Sequence, residues 1–157
     1  MHIEIHTDGS SLGNPGPGGW AWASKESWAS GGTEHTTNNA MELLAIAEAL
    51  RSAQAGGYTE VAIVTDSKYC VDALTKWVHG WRKRGFKTAD GKPVANREVI
   101  EEIYALQTAM TVSYRWIKAH AGHSANERVD DLARRQSTAW QKGNGRPAGP
   151  GMVPAVS

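Results

Sequence analysis

The chain has 157 residues, which suits one compact domain, since domains average about 100–150 residues and a chain of this length buries a substantial core. Seventeen Lys and Arg oppose sixteen Asp and Glu, and the net charge of +1 excludes a uniformly basic coat and an acidic disordered tail. The single cysteine, Cys70, excludes a disulfide framework, and the longest apolar run, Leu43 to Ala47, is far short of the ~20 residues of a membrane span.

Residues 2–8 alternate apolar and polar, which predicts a strand ending at Asp8. A glycine-rich break over 9–19 follows. Two short strands are expected near 19–25 and 27–35, joined by a turn at 24–27 and antiparallel to the first. From Asn38 to Gln54 the chain is rich in Ala, Leu, Met and Glu, without Gly or Pro, and predicts a helix closed by Gly56 and Gly57. Residues 60–65 form a β-branched run that reads as a strand parallel to a neighbour.

Residues 67–77 predict a helix that continues, kinked at Gly80, into a basic segment through Arg84. Residues 85–93 read as loop, 96–109 as a helix and 112–117 as the last strand. A final helix opens at Ser124, whose spacing to Glu127 is that of a capping box, and apolar positions then recur at helical spacing to Trp140. After Lys142 the run Gly-Asn-Gly-Arg-Pro-Ala-Gly-Pro-Gly predicts a disordered tail over 143–157, leaving 1–142 as the domain. The order βββαβα(α)αβα describes an α/β fold with a mixed five-stranded sheet, three strands antiparallel and two parallel, flanked by helices. With no signal-peptide pattern at the N-terminus, a cytoplasmic monomer without membrane contact is expected.

Working groups of such sheets collect at the carboxyl ends of strands. Asp8 and Asp66 stand at two of them, each in a Thr-Asp-(Gly/Ser) context. A lone Asp there is often only a turn or helix cap, but two at parallel neighbouring strands bring their carboxylates together. Glu42 lies in the first turn of the long helix, three residues after Asn39, a position that also suits a capping-box partner. In the last helix Asp130 and Asp131 each have an Arg four residues on, and periodicity does not choose between them.

A cluster of Asp8, Glu42, Asp66 and one of the last two acids requires cations. Hard divalent ions fit, Mg²⁺ or Mn²⁺ as a substitute, because zinc would call for Cys or a fuller His set. A pair of such ions would activate water and stabilise both oxygens of an in-line phosphoryl displacement. His120 and His123, in the loop before the last helix, suit proton transfer better than zinc binding.

The positive charge is concentrated. Residues 76–97 hold seven cations against one anion, a local balance of +6 that leaves −5 elsewhere. Trp77, Trp81 and Phe86 alternate with Lys76, Arg82, Lys83, Arg84 and Lys87, a mixture that matches nucleic-acid grooves, where phosphates supply most of the affinity and rings pack on sugars or bases. The loop over 13–19 lacks the Gly-Lys-Ser/Thr ending of a P-loop.

With residues 7–19, 36–42, 65–67, 77–93 and 118–133 in this order, the chain resembles bacterial ribonuclease H type 1 over about residues 2–140. The resemblance implies a ribonuclease H-like fold with a basic protrusion and endonucleolytic hydrolysis of the RNA strand of an RNA·DNA hybrid. The products are 5′-phosphate and 3′-hydroxyl ends, and two Mg²⁺ ions are required. By motif position it makes Asp8, Glu42, Asp66 and Asp130 the metal-binding carboxylates and His120 the group assisting proton transfer or product release. It places Asn14, Asn38 and Asn39 near 2′-hydroxyls and Thr37 in a DNA-phosphate pocket. Trp77 and Trp81 line a DNA-strand channel, and Lys83, Arg84 and Asn126 join the substrate-binding set. Relatives often carry Gln at Lys68, Arg at His35 and Asn at Gly80. The hairpin over 24–32 is short, and the tail after Lys142 lies outside the family core.

Overall fold

A computed structural model describes residues 1–156. Strands β1 (His2–Ser11), β2 (Gly16–Ala23) and β3 (Trp28–Thr36) form an antiparallel meander, and β4 (Glu60–Thr65) and β5 (Thr111–Trp116) add in parallel to the other side of β1. Helix α1 (Asn38–Ala55) connects β3 to β4. Helices α2 (Lys68–Asp72), α3 (Val78–Lys83) and α4 (Arg97–Ala109) connect β4 to β5, and α5 (Ser124–Gln141) follows.

The sheet has six strands in the order β5-β4-β1-β2-β3-β6, one more than the expected five. The sixth, β6 (Ala148–Gly151), lies antiparallel to β3 within the segment expected to be a disordered tail. Backbone geometry and a few anchors hold that segment, which is why composition did not reveal it. Gly149, at φ +103°, passes so close that a Cβ there would lie 2.6 Å from the Trp28 carbonyl oxygen. The buried Gln136 amide donates to the Arg146 carbonyl at 2.9 Å and to Ser30 Oγ at 3.0 Å. Beyond β6, Met152 packs on the main core, the Val153 N–H donates to Ser27 Oγ at 2.7 Å, Tyr58 Oη donates to the Val153 carbonyl, and the Ala155 N–H donates to the Gly56 carbonyl. The segment therefore straps the β3 edge to the end of α1 and covers an edge that would otherwise be open.

Alternation along β2 sorts the two layers. Trp22 and Ile5 face one side, where they meet Leu43, Ile46 and Leu50 of α1, Leu74, Val78, and Ile100 and Ile103 of α4. Ala21 and Ala23 face the other side and pack on Val129 and Ala133 of α5. These small residues let α5 lie close. At Gly19 a Cβ would fall 2.3 Å from the Ala133 carbonyl oxygen, so glycine is required there.

Helix boundaries differ from expectation in three places. The Thr37 side chain caps α1 by accepting the Ala40 N–H at 3.2 Å, which leaves Glu42 free of the capping role that its spacing from Asn39 suggested. At α5 the N-cap position is His123, without a side-chain cap bond, so Ser124 is the first helical residue and no capping box forms. The irregularity after α2 is a π-helical turn over Ala73–Trp77, not a kink at Gly80, which lies inside α3.

Removing residues 144–157 should lower the melting temperature by about 6–12 °C. That follows from a loss of about 2–4 kcal/mol for the Met152 burial and the anchoring hydrogen bonds. Thermal circular dichroism of the shortened chain measures it, and an unchanged melting temperature would show that the strap contributes nothing.

Candidate active site

Asp8 sits inside β1 opposite Ala21, and Asp66 is the first residue beyond the paired end of β4, where Thr7 lies beside Thr65. Parallel pairing brings the two acids to the same end of the sheet. Glu42 reaches them from the second turn of α1. A Cβ on Gly9 would lie 2.3 Å from the Glu42 backbone nitrogen, so only glycine allows α1 to approach β1 this closely. The Gly9 N–H then donates to Glu42 Oε1 at 2.5 Å and fixes the carboxylate. This contact, between residues 33 apart in sequence, was missed by sequence reasoning.

Oxygens of Asp8, Glu42 and Asp66 all lie within 4.8 Å of one another. Asp8 and Glu42 are buried and Asp66 is half-buried. Burial, followed by the charges of Glu42 and Asp66, pushes the Asp8 carboxyl far above the ordinary carboxylate range. Burial raises Glu42 too, opposed by its hydrogen bonds with Asp8 and Gly9. Among the described residues, no Lys or Arg forms a salt bridge to any of the three.

Asp130, from α5, stands outside that trio, and its carboxyl adds the smallest of the upward pushes on Asp8. Arg134 pairs with it at 3.0 Å, whereas Asp131 turns outward to Arg135 at 2.8 Å and is more exposed. The geometry thus separates two acids that periodicity did not. Asn126, one turn before Asp130, is buried, and its Nδ2 lacks a partner among the described residues. His120 lies in the exposed loop between β5 and α5, at φ +57°.

A second group collects at the start of α1. Asn14 Oδ1, in the β1–β2 turn, accepts the Asn38 N–H at 3.1 Å, next to the Thr37 cap and the exposed Asn39. One helical turn separates Asn38 from Glu42. A third group straddles the π-helical turn, where the tilted rings of Trp77 and Trp81 pack at 6.0 Å between centroids and Tyr69 of α2 meets Trp77 at the same distance. Trp77 is exposed, as are Lys83 and Arg84 at the end of α3. Finally, the Trp116 indole N–H donates to the Asp66 carbonyl at 3.0 Å.

The family model for RNase H matches residues 1–138. The chain belongs to the ribonuclease H family. Ribonuclease H of Agrobacterium fabrum is 49% identical over 138 residues, covering 85% of this chain and 93% of the relative. The crystal structure of LC9-RNase H1, a type 1 RNase H with the type 2 active-site motif, superposes with a TM-score of 0.76 at 30% identity, covering 94% of this chain and 77% of that one. LC11-RNase H1, solved in complex with RNA/DNA hybrid, shares the fold at 24% identity, with a TM-score of 0.65, covering 85% of this chain and 94% of that one. The ribonuclease H fold expected from the sequence is therefore the fold observed, with β6 added.

The raised acids set a pH dependence. A carboxyl whose folded pKa is raised binds its proton more tightly in the folded state, so the metal-free protein loses stability as pH rises above the unfolded value. Asp8→Asn should therefore raise the melting temperature of the metal-free protein by about 3–6 °C at pH 8, corresponding to about 1–2 kcal/mol, with a smaller gain at pH 5. Thermal melts in chelator at both pH values check this. A loss at pH 8 would mean that the carboxylate is stabilised by something other than a bound cation.

Proposed function

We propose that this ribonuclease H hydrolyses the RNA strand of RNA·DNA hybrids, leaving 5′-phosphate and 3′-hydroxyl ends, with two Mg²⁺ ions held by Asp8, Glu42, Asp66 and Asp130. Mn²⁺ would substitute. The observation that carries the reading is the buried trio of carboxylates without cationic partners, in a chain of this family. Their chemistry fits hard divalent cations, which take oxygen ligands and offset the mutual repulsion. Bound divalent cations polarise the scissile phosphate and make water a stronger nucleophile.

The chain's own groups divide the remaining work. Gly9 holds Glu42 at a fixed orientation through its N–H. Arg134 orients Asp130 at the rim of the cluster. His120, exposed on its loop, exchanges a proton with the leaving group or assists product release, imidazole being the side chain that trades protons near neutral pH.

Asn14, Asn38 and Asn39 offer amide donors and acceptors to 2′-hydroxyls, the groups that distinguish RNA from DNA. Thr37 faces the DNA phosphate beside them. Trp77 and Trp81 supply ring faces to the DNA strand, Lys83 and Arg84 bind its phosphates, and Asn126 supports the substrate-facing side of α5. No helix among the described residues is long and apolar enough to cross a membrane. A free, buried Cys70 fits a reducing, cytoplasmic setting, with the enzyme acting as a monomer.

With labelled RNA·DNA hybrid, RNA duplex and DNA duplex in Mg²⁺, only the hybrid should be cut; equal cutting of all three, or of none, refutes the activity. Asp66→Asn should abolish turnover yet retain hybrid binding in a filter or anisotropy assay. Cleavage by that variant at the parent rate would remove the metal-ion reading.

Neutralising Lys83 and Arg84 to Gln should weaken hybrid binding and flatten its salt dependence. The expected change is about one unit of log–log slope for each phosphate no longer neutralised by the protein. Binding titrations across a salt series give the slope directly, and an unchanged slope would place both residues off the hybrid.

A further inference from the structure

The three clustered carboxylates are held by different means. Asp8 lies within β1 and is paired with β2, and Glu42 belongs to a long capped helix and takes the Gly9 N–H. Asp66 has neither support. It follows Thr65, the last residue of β4 in register with β1 and β5, and it precedes Ser67, the N-cap of α2. A carboxylate on a peptide just past the end of a ladder is the one most free to drift, and Asp66 is also the least buried of the three.

The last backbone rung between β4 and β5 is the Ile117 N–H donating to the Thr65 carbonyl at 3.0 Å. The next carbonyl, that of Asp66, takes its hydrogen bond from a side chain, the Trp116 indole N–H, also at 3.0 Å. Trp116 stands opposite Thr65 in register, so its ring extends the ladder by one residue along β4. On the other side of the same peptide, the Ser67 N–H donates to Thr65 Oγ1 at 3.1 Å. The Asp66 main chain is thus clamped before and after the residue whose side chain joins the cluster. Trp116 nevertheless remains 47% exposed, which is costly for an indole with only a packing role.

We propose that Trp116 is a positioning residue for Asp66, its indole N–H fixing the peptide that carries this carboxylate and thereby setting the affinity of the cluster for divalent cations. This inference rests on the reading of Asp8, Glu42 and Asp66 as a cation site. The ring itself touches neither cation nor reacting atoms in this role. Groups that orient a ligand rather than bind the ion are worth about 10–100-fold in metal affinity when buried. For a partly exposed donor acting through the main chain, about three- to tenfold is expected.

The test counts free Mn²⁺ by electron paramagnetic resonance, with no nucleic acid present, in the parent, Trp116→Phe and Asp66→Asn. Phe keeps an aromatic ring and lacks the N–H. The parent should bind Mn²⁺, Asp66→Asn should bind it far more weakly, and Trp116→Phe should lose about three- to tenfold in affinity. Its cleavage rate should recover in excess Mn²⁺, with the KM for hybrid unchanged. Equal Mn²⁺ affinity in parent and Trp116→Phe overturns the inference while leaving the cation site intact. So does a raised KM at equal affinity, which would make Trp116 a stacking surface for the substrate. A parent that binds no Mn²⁺ removes the cation site itself, and the inference with it.

Should Trp116→Phe melt too low to assay, nuclear magnetic resonance of the parent decides. Among the seven indole N–H resonances, that of Trp116, assigned in the parent itself by through-bond and through-space correlations, should move during a Mg²⁺ titration with the midpoint of binding. A resonance that stays in place through saturation overturns the inference.

Discussion

Oxygens of three carboxylates within 4.8 Å of one another, two of them on buried residues, define the constraint around which the molecule is organised. Like charges at that separation in a poorly solvated place cannot all be ionised without a counter-charge, and no Lys or Arg among the described residues forms a salt bridge with any of them. The protein's response is to hold the carboxylates rigidly and leave their neutralisation to something that comes from outside. The Gly9 N–H on Glu42 and the β-ladder around Asp8 serve that end, and both belong to the middle of the sheet, where local unfolding is rarest.

Rigidity at the cluster depends in turn on how near the helices come. Two glycines set the approach on opposite faces of the sheet. Gly9 admits the backbone of α1 at Met41 and Glu42, and Gly19 admits that of α5 at Ala133. A methyl group at either place would push a helix away by an ångström or more, and with it Glu42 in one case and Asp130 in the other. Small residues at Ala21 and Ala23 continue the close packing along β2. The layers are thus spaced by the sheet's own side-chain volumes, and the distances among acids from four separate elements follow from that spacing.

Much of this was legible in the chain. Period-two alternation located the start of β1, the Ala- and Leu-rich run located α1, and parallel order from a helical crossover brought Asp8 and Asp66 to one end of the sheet. β1 nevertheless runs on to Ser11, held by its pairing with β2 through the glycine-rich segment, so Asp8 lies within the strand and not at its end as the alternation suggested. What escaped were features decided by through-space contact. Spacing offered Asn39 and Glu42 as a capping pair, but Thr37 takes the cap and Glu42 turns to Gly9. Periodicity could not separate Asp130 from Asp131, because each has an Arg partner one turn on; only the direction of α5 across the sheet distinguishes them. β6 was invisible for a different reason. Its Gly and Pro composition carries no apolar alternation, and what orders it are main-chain bonds to β3, the Gln136 amide and one methionine.

The distribution of charge completes the same logic. Had Lys83 and Arg84 stood near the carboxylates, they would have paired with them and displaced any cation from outside. They stand instead at the end of α3, and neither forms a salt bridge among the described residues. Several other charged groups on the surface do pair at short helical range, including Lys76 with Asp72 and Arg97 with Glu101. Exposed cations without partners keep their full attraction for a phosphate backbone, and each phosphate they neutralise releases condensed counterions, so the binding energy grows with the number left unpaired. The +6 of residues 76–97 and the acidic cluster, which is part of the −5 elsewhere, are thus kept apart because each would disable the other.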